Sequence, residues 1–264
     1  MSRLKLTQRP GTGKVVNVTP ENAGWKYVGF DLHKLNKGDA ASEKSDGDET
    51  CLVFISGKGN VTAGGKDLGE LGERMSVFEG KPWSVYLPAG VEWKVEATSD
   101  VELAVCRAPS INGDLPVRVI GPDDLGLETR GKGANVRHVI NILPEGKPAD
   151  SLLVVEVITP GGNTSSYPPH KHDQDNLPLE SFLEETYYHR INPPQGFAFQ
   201  RVYTDKRSLD EACAVENHDV VMAPRGYHPV VAPHGYDLYY LNVMAGPNRF
   251  WVFKNDPQHE WMIK

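Results

Sequence analysis

Apolar residues along this chain come in short runs bounded by Gly, Pro, Asp and Asn. Examples are "CLVFISGKGNVTAGG", "WSVYLPAG", "VEWKVEA", "VELAVCRA", "SLLVVEVITPGG", "EETYYHRI", "GFAFQRVYT", "DVVMAPRG", "HPVVAPHG" and "DLYYLNVMAG". Little in them follows the i, i+3, i+4 spacing of an amphipathic helix. β-branched and aromatic residues separated by turn signals predict strands, and many short strands in series predict an all-β sandwich or barrel. "SLDEAC", residues 208 to 213, reads as a short helical turn or a turn between strands.

The two halves share a rhythm. "WSVYLPAGVEWKVEA" (83 to 97) and "DVVMAPRGYHPVVAP" (219 to 233) both run strand, Pro-x-Gly, strand. The Pro ends a strand and the Gly permits a tight turn. The pattern predicts two tandem barrels, residues 1–125 and 126–264, divided near "APSINGDLPVRVIGPDDLGLETRGKGANVRHVI". Only the second half carries clustered histidines. Where it has His228 after its Pro-x-Gly, the first half has Val91, Glu92 and Trp93. The N-terminal barrel is therefore expected to lack metal ligands, and the C-terminal barrel to hold the chemistry.

Composition narrows the function classes. The hydrophobic fraction of 39% over 264 residues suffices for a core. A net charge of −7, with no long Lys/Arg run, argues against nucleic acid or an anionic membrane as partner. Cys51, Cys106 and Cys213 are far apart with no CxxC, which suggests reduced thiols in a cytoplasmic protein. No apolar stretch spans a bilayer and the N-terminus has no secretory h-region. An exposed sheet edge calls for cover, so a homo-oligomer is expected.

The candidate chemistry lies in "YPPHKHDQDN", residues 167 to 176. On an extended strand, residues i and i+2 point to one side, so His170 and His172 offer two nitrogens to one metal. After a polar insertion come Glu184 and Glu185, either of which supplies a carboxylate on composition alone. His228, in "PRGYHPV", offers another imidazole. Several His and a Glu from separate strands suit a mixed N/O site for a divalent ion.

Those residues carry a resemblance. "PPHKHD", "LEETYYHR", "PPQGFAFQRVYT" and "PRGYHPVVAPHGYDLYYLNVMAGPNRFW" resemble the bicupin uronate isomerases, in particular the 5-deoxy-glucuronate isomerases of myo-inositol catabolism. The resemblance covers most of the chain and is strongest from about residue 150 onward. It implies two cupin barrels and puts the metal ligands on His170, His172, Glu185 and His228. Glu185 is preferred over Glu184 because "TYY" follows it. Two positions depart from the general cupin pattern: "NH" precedes Asp219 where a Gly is usual, and the spacing from Pro-x-Gly to His is one residue tight.

The implied reaction moves the carbonyl of a small sugar acid by one carbon, giving 2-deoxy-5-keto-gluconate through an enediolate, with no redox cofactor. The implied cofactor is a divalent metal that stabilises the enediolate as a Lewis acid; zinc is placed first, with manganese or iron as alternatives. Glu184, Tyr187, Tyr240 and a metal-bound hydroxide are the candidate bases. Gln200 suits a substrate hydroxyl or a core hydrogen-bond bracket. Arg201 and Arg225 are candidates for the substrate carboxylate, with Arg225 favoured by its place in the His228 loop. His189 shares strand parity with Glu185 and lies in the cavity or at its rim. His138, His218 and His234 read as surface residues. A cupin dioxygenase using iron and a non-catalytic sugar-acid-binding bicupin are the competing functions.

Overall fold

Each of the apolar runs quoted above becomes a strand. The computed structural model describes residues 3–263. Among the described residues, helix is confined to Pro20–Ala23 and three short 3-10 turns. "SLDEAC" is not helical: Ser208 and Leu209 belong to the turn between two strands, and the rest opens the strand Asp210–Glu216, paired antiparallel along the whole of Phe197–Tyr203. Its Cys213 and Val215 alternate inward with exposed neighbours, the period of a half-buried strand.

The chain packs as two units. One consists of Gln8–Gly126 and Ile142–Val154; the other takes the stretch ending at Thr7, Leu127–Asn141 and the stretch from Val155. This differs from a single cut after residue 125, and the reasons are local. Lys5–Thr7 adds a strand to Asp219–Ala223 with Lys5 opposite Val221. Lys5 Nζ and Thr7 Oγ1 both donate to the buried Asp219 carboxylate, at 3.0 and 2.7 Å. The segment around Asp150 is held by Glu49, which is fully buried. Glu49 accepts from the backbone N–H groups of Asp150, Ser151 and Leu152 and from the Tyr86 hydroxyl at 2.6 Å.

The first unit has a six-stranded sheet in the order Arg118–Ile120, Ser84–Leu87, Asp48–Ser56, Val101–Pro109, Gly29–Leu35, Gly13–Val18. A four-stranded sheet accompanies it: Ala40–Lys44, Glu92–Ala97, Gly59–Ala63, Lys66–Leu71. Between them Leu52, Phe54, Val61, Trp93, Val95, Leu103 and Val105 form a buried core. Trp93, on the first-half counterpart of the histidine loop, is therefore a packing residue.

The second unit carries the site. Its seven-stranded sheet runs Lys5–Thr7, Asp219–Ala223, Glu184–Asn192, Asp237–Ala245, Leu153–Thr159, Arg137–Leu143, Gly126–Arg130. A smaller sheet orders Thr164–Ser165, Val230–Val231, Phe197–Tyr203 and Asp210–Glu216. Glu184–Asn192 lies between two partners in unbroken register, with Glu185 opposite Ala223 on one side and Met244 on the other. That fixes which of its side chains face inward. The Pro-x-Gly turn requires its glycine twice over. Gly226 has φ +88, and a Cβ there would lie 2.4 Å from the Tyr203 carbonyl oxygen. This close approach lets the loop deliver His228 into the interior. Cys51, Cys106 and Cys213 are free and buried. No helix among the described residues is long and apolar enough to cross a membrane.

Candidate metal centre and pocket

His170, His172 and His228 converge: one ring nitrogen from each lies within 4.8 Å of the others. All three are buried. Glu185 completes the group, with Oε2 at 3.1 Å from His172 Nε2 and 3.3 Å from His228 Nε2. The backbone sets the tautomers. A carbonyl only accepts, so His172 Nδ1–H donates to Leu183 at 3.0 Å and His228 Nδ1–H to Gly226 at 2.8 Å. Each ring therefore turns Nε2 toward the cluster, which is how a ligating histidine is oriented from behind. His228 Nε2 is a buried nitrogen without a hydrogen-bond partner. A desolvated, unpaired lone pair aimed at two more imidazoles and a carboxylate fits a divalent cation.

Burial disfavours the charged form of all three imidazoles. It holds His170 well below the ordinary range, and His228 down to about 4. At His172 burial acts in the same direction, but the Glu185 carboxylate outweighs it and the pKa rises. Neutral His170 and His228 near pH 7 are the forms that bind metal.

Lys171 points away from the cluster, as strand alternation requires. Its ammonium pairs with Asp173 at 2.5 Å and Asp205 at 3.2 Å. The other oxygen of Asp173 accepts the Gly226 N–H at 2.9 Å. One carboxylate thus joins the strand bearing His170 and His172 to the loop bearing His228. From the C-terminal segment, Phe253 packs on His170 with ring centroids 4.7 Å apart.

Beside the cluster is a narrow pocket with a free volume of about 30 Å³. His170 and Glu185 belong to its lining, with Tyr187, Tyr240, Ser166, Asn242, Trp251, Arg130 and Arg137 and the apolar Val139 and Val157. Tyr187 and Tyr240 are 5.0 Å apart between centroids, and Tyr187 OH lies 3.1 Å from Ser166 Oγ. Burial raises both phenol pKa values, that of Tyr187 well above its ordinary value.

Four expected site residues lie elsewhere. Glu184 is buried on the face of its strand opposite Glu185 and Tyr187, so it does not line the pocket. Gln200 is a bracket: its Oε1 accepts from His189 Nε2 at 3.0 Å, and its Nε2 reaches the His228 carbonyl at 3.5 Å. Each end faces a protein group, and Gln200 is not among the pocket residues. Arg201 is exposed and engages Asp210 through two nitrogens, at 2.8 and 2.7 Å. Arg225 is exposed on its loop and is not among the pocket residues. Sequence reasoning missed Arg130, Arg137, Ser166, Asn242 and Trp251. The signal for Arg137 was the alternation Arg137, Val139, Asn141 opening a strand, hidden inside a segment that reads as a divide.

His189 is fully buried behind Tyr187, and burial holds it down to about 4 despite its bond to Gln200. The unfolded chain takes up this proton near pH 6.5, the native state only near 4. Between those values the unfolded state binds more protons, so stability falls as pH falls, by on the order of 3 kcal/mol over the window. His189→Leu should flatten that part of the pH–stability curve in urea titrations. An unchanged slope would contradict the burial.

An all-β chain of two barrels, with one histidine cluster among its described residues, is a bicupin with a site able to hold a metal ion. Bacillus subtilis oxalate decarboxylase shares the fold, with a TM-score of 0.65 over 97% of this chain and 80% of that one, at 13% identity. The chain belongs to the KduI/IolB family, whose profile matches residues 3–262. A Geobacillus kaustophilus protein named 5-deoxy-glucuronate isomerase is 58% identical over 267 residues, covering 100% of this chain and 96% of its own length. The crystal structure of an IolB-like protein from Salmonella typhimurium aligns with a TM-score of 0.97 at 54% identity, over 99% of both chains.

Proposed function

We propose that this chain is a 5-deoxy-glucuronate isomerase and that the reaction takes place beside His170, His172, Glu185 and His228. The observation that carries this reading is the convergence of three buried imidazoles and the Glu185 carboxylate on the edge of a pocket. Relatives of full length named for that activity support the substrate. The four residues would hold a divalent metal, for which zinc suits three imidazoles and a carboxylate. Such an ion supplies Lewis-acid stabilisation of the negative charge that develops on the two neighbouring oxygens of an enediolate.

The remaining work falls to the protein. Aldose and ketose differ by one proton moved between adjacent carbons and one moved between their oxygens. Tyr187 and Tyr240, kept protonated by burial, donate hydrogen bonds to substrate oxygens instead of acting as bases. Ser166 orients the Tyr187 hydroxyl. Trp251 and Val139 help keep the pocket apolar at its sides, where water would screen those donors.

The test is conversion of 5-deoxy-glucuronate followed by NMR, with an oxygen electrode in the same solution. The expected result is loss of the aldehyde and gain of a ketone, with no oxygen consumed. Oxygen uptake that tracks substrate loss would assign the site to a dioxygenase instead.

A further inference from the structure

The pocket holds two guanidinium groups, and only one is neutralised by the protein. Arg130 Nε donates to Glu128 Oε2 at 2.8 Å, and its guanidinium lies 5.2 Å from the Trp251 ring centre. Glu128 is fixed in turn by Asn141 Nδ2 at 2.6 Å. Arg137 is different. Its Nη1 donates to the Asn135 carbonyl and to Asn135 Oδ1, both at 3.0 Å. Both acceptors are neutral, and no described carboxylate forms an ion pair with Arg137. Its Nε and Nη2 protons have no acceptor among the described residues. A half-buried cation without a counter-charge is costly to fold, and binding sites keep such a group where a ligand brings the anion.

We infer that Arg137 is the residue that binds the carboxylate of the substrate and sets specificity for a sugar acid over a neutral sugar. This rests on the isomerase reading above. The free Nε–Nη2 edge is the planar fork that matches a carboxylate with two parallel bonds. Arg137 and His170 line the same pocket, and they lie near enough for the Arg137 charge to act on the His170 ring. 5-Deoxy-glucuronate has its aldehyde and its carboxylate at opposite ends of one carbon chain. With the carbonyl end at the histidine cluster, the carboxylate end is left for Arg137.

The local chain is built to hold this arginine still. Asn135 is anchored by its Nδ2, which donates to the Tyr167 carbonyl at 2.8 Å, just ahead of the histidine strand. The loop closes tightly at Gly131, which has φ +86. A Cβ there would sit 1.9 Å from the Asn135 carbonyl oxygen and 2.9 Å from Arg137 Nη1. Orientation before binding is what makes a bidentate contact selective.

The test compares wild type with Arg137→Gln on two substrates, 5-deoxy-glucuronate and the 5-deoxy-hexose with a hydroxymethyl group in place of the carboxylate. For the acid, KM should rise on the order of 10- to 100-fold with a smaller change in kcat. For the neutral sugar the two proteins should have similar kcat/KM. Arg137→Lys should recover part of the loss, because charge returns without the fork. An equal loss on both substrates, or a fall in kcat at unchanged KM, would overturn the assignment and leave Arg137 acting on Tyr240 beside it. Binding of D-glucuronate and D-glucose, measured by titration calorimetry on both proteins, separates this inference from the isomerase reading. If wild type leaves 5-deoxy-glucuronate unchanged, the isomerase reading fails. A glucuronate affinity that drops only in Arg137→Gln would still support Arg137 as the carboxylate site, and an unchanged affinity would refute it.

Discussion

His172→Ala is expected to lower turnover by about 1,000-fold or more and to weaken the site's hold on a divalent metal, while the barrel stays folded. The size follows from what His172 holds together. Its Nε2 faces Glu185 at 3.1 Å and its ring packs 4.9 Å from His228, so its removal breaks two contacts of the cluster at once. A site that keeps two imidazoles and a carboxylate loses affinity and the geometry needed to stabilise charge in the transition state. Metal analysis of the purified variant, beside its kcat and thermal unfolding, checks all three parts. A variant that lost its metal but kept its turnover would place the chemistry elsewhere.

Glu49→Gln is expected to lower unfolding stability by on the order of 3–5 kcal/mol. The native carboxylate accepts from three consecutive backbone N–H groups and a phenol in a fully buried position. Glutamine fills the same volume but turns an NH2 toward donors, leaving N–H groups without acceptors where no water reaches. Tyr86→Phe removes only one of the four bonds and should cost about 1 kcal/mol. Urea denaturation of the two variants side by side decides the matter. A Glu49→Gln loss no greater than that of Tyr86→Phe would mean that the backbone contacts carry little of the energy.

The sequence made the fold class and the histidines readable because both follow a short period. Alternating apolar residues define strands, and the same period of two puts His170 and His172 on one side with Lys171 on the other. That period also separates Glu185, Tyr187 and His189 from Glu184, so strand parity alone removes Glu184 from the pocket. It likewise turns Arg201 outward once Gln200 is buried. What was not legible depends on contacts between distant segments. Gln200 lies outside the pocket and faces His189 and the His228 carbonyl, and no local pattern announces that. Arg137 sits in a Gly-rich, charged stretch that reads as a linker, yet it opens a strand of the site-bearing sheet. The exchange of Lys5–Thr7 into that sheet is equally remote in sequence, since three residues carry too little pattern to name their partner.

The most direct measurement is NMR of 5-deoxy-glucuronate in deuterated water with the same protein before chelation, after chelation and after reloading with zinc. The account predicts conversion by the loaded and reloaded protein, none by the stripped protein, and solvent deuterium on the former aldehyde carbon. Undiminished conversion by the stripped protein would contradict the assignment of the reaction to the histidine cluster.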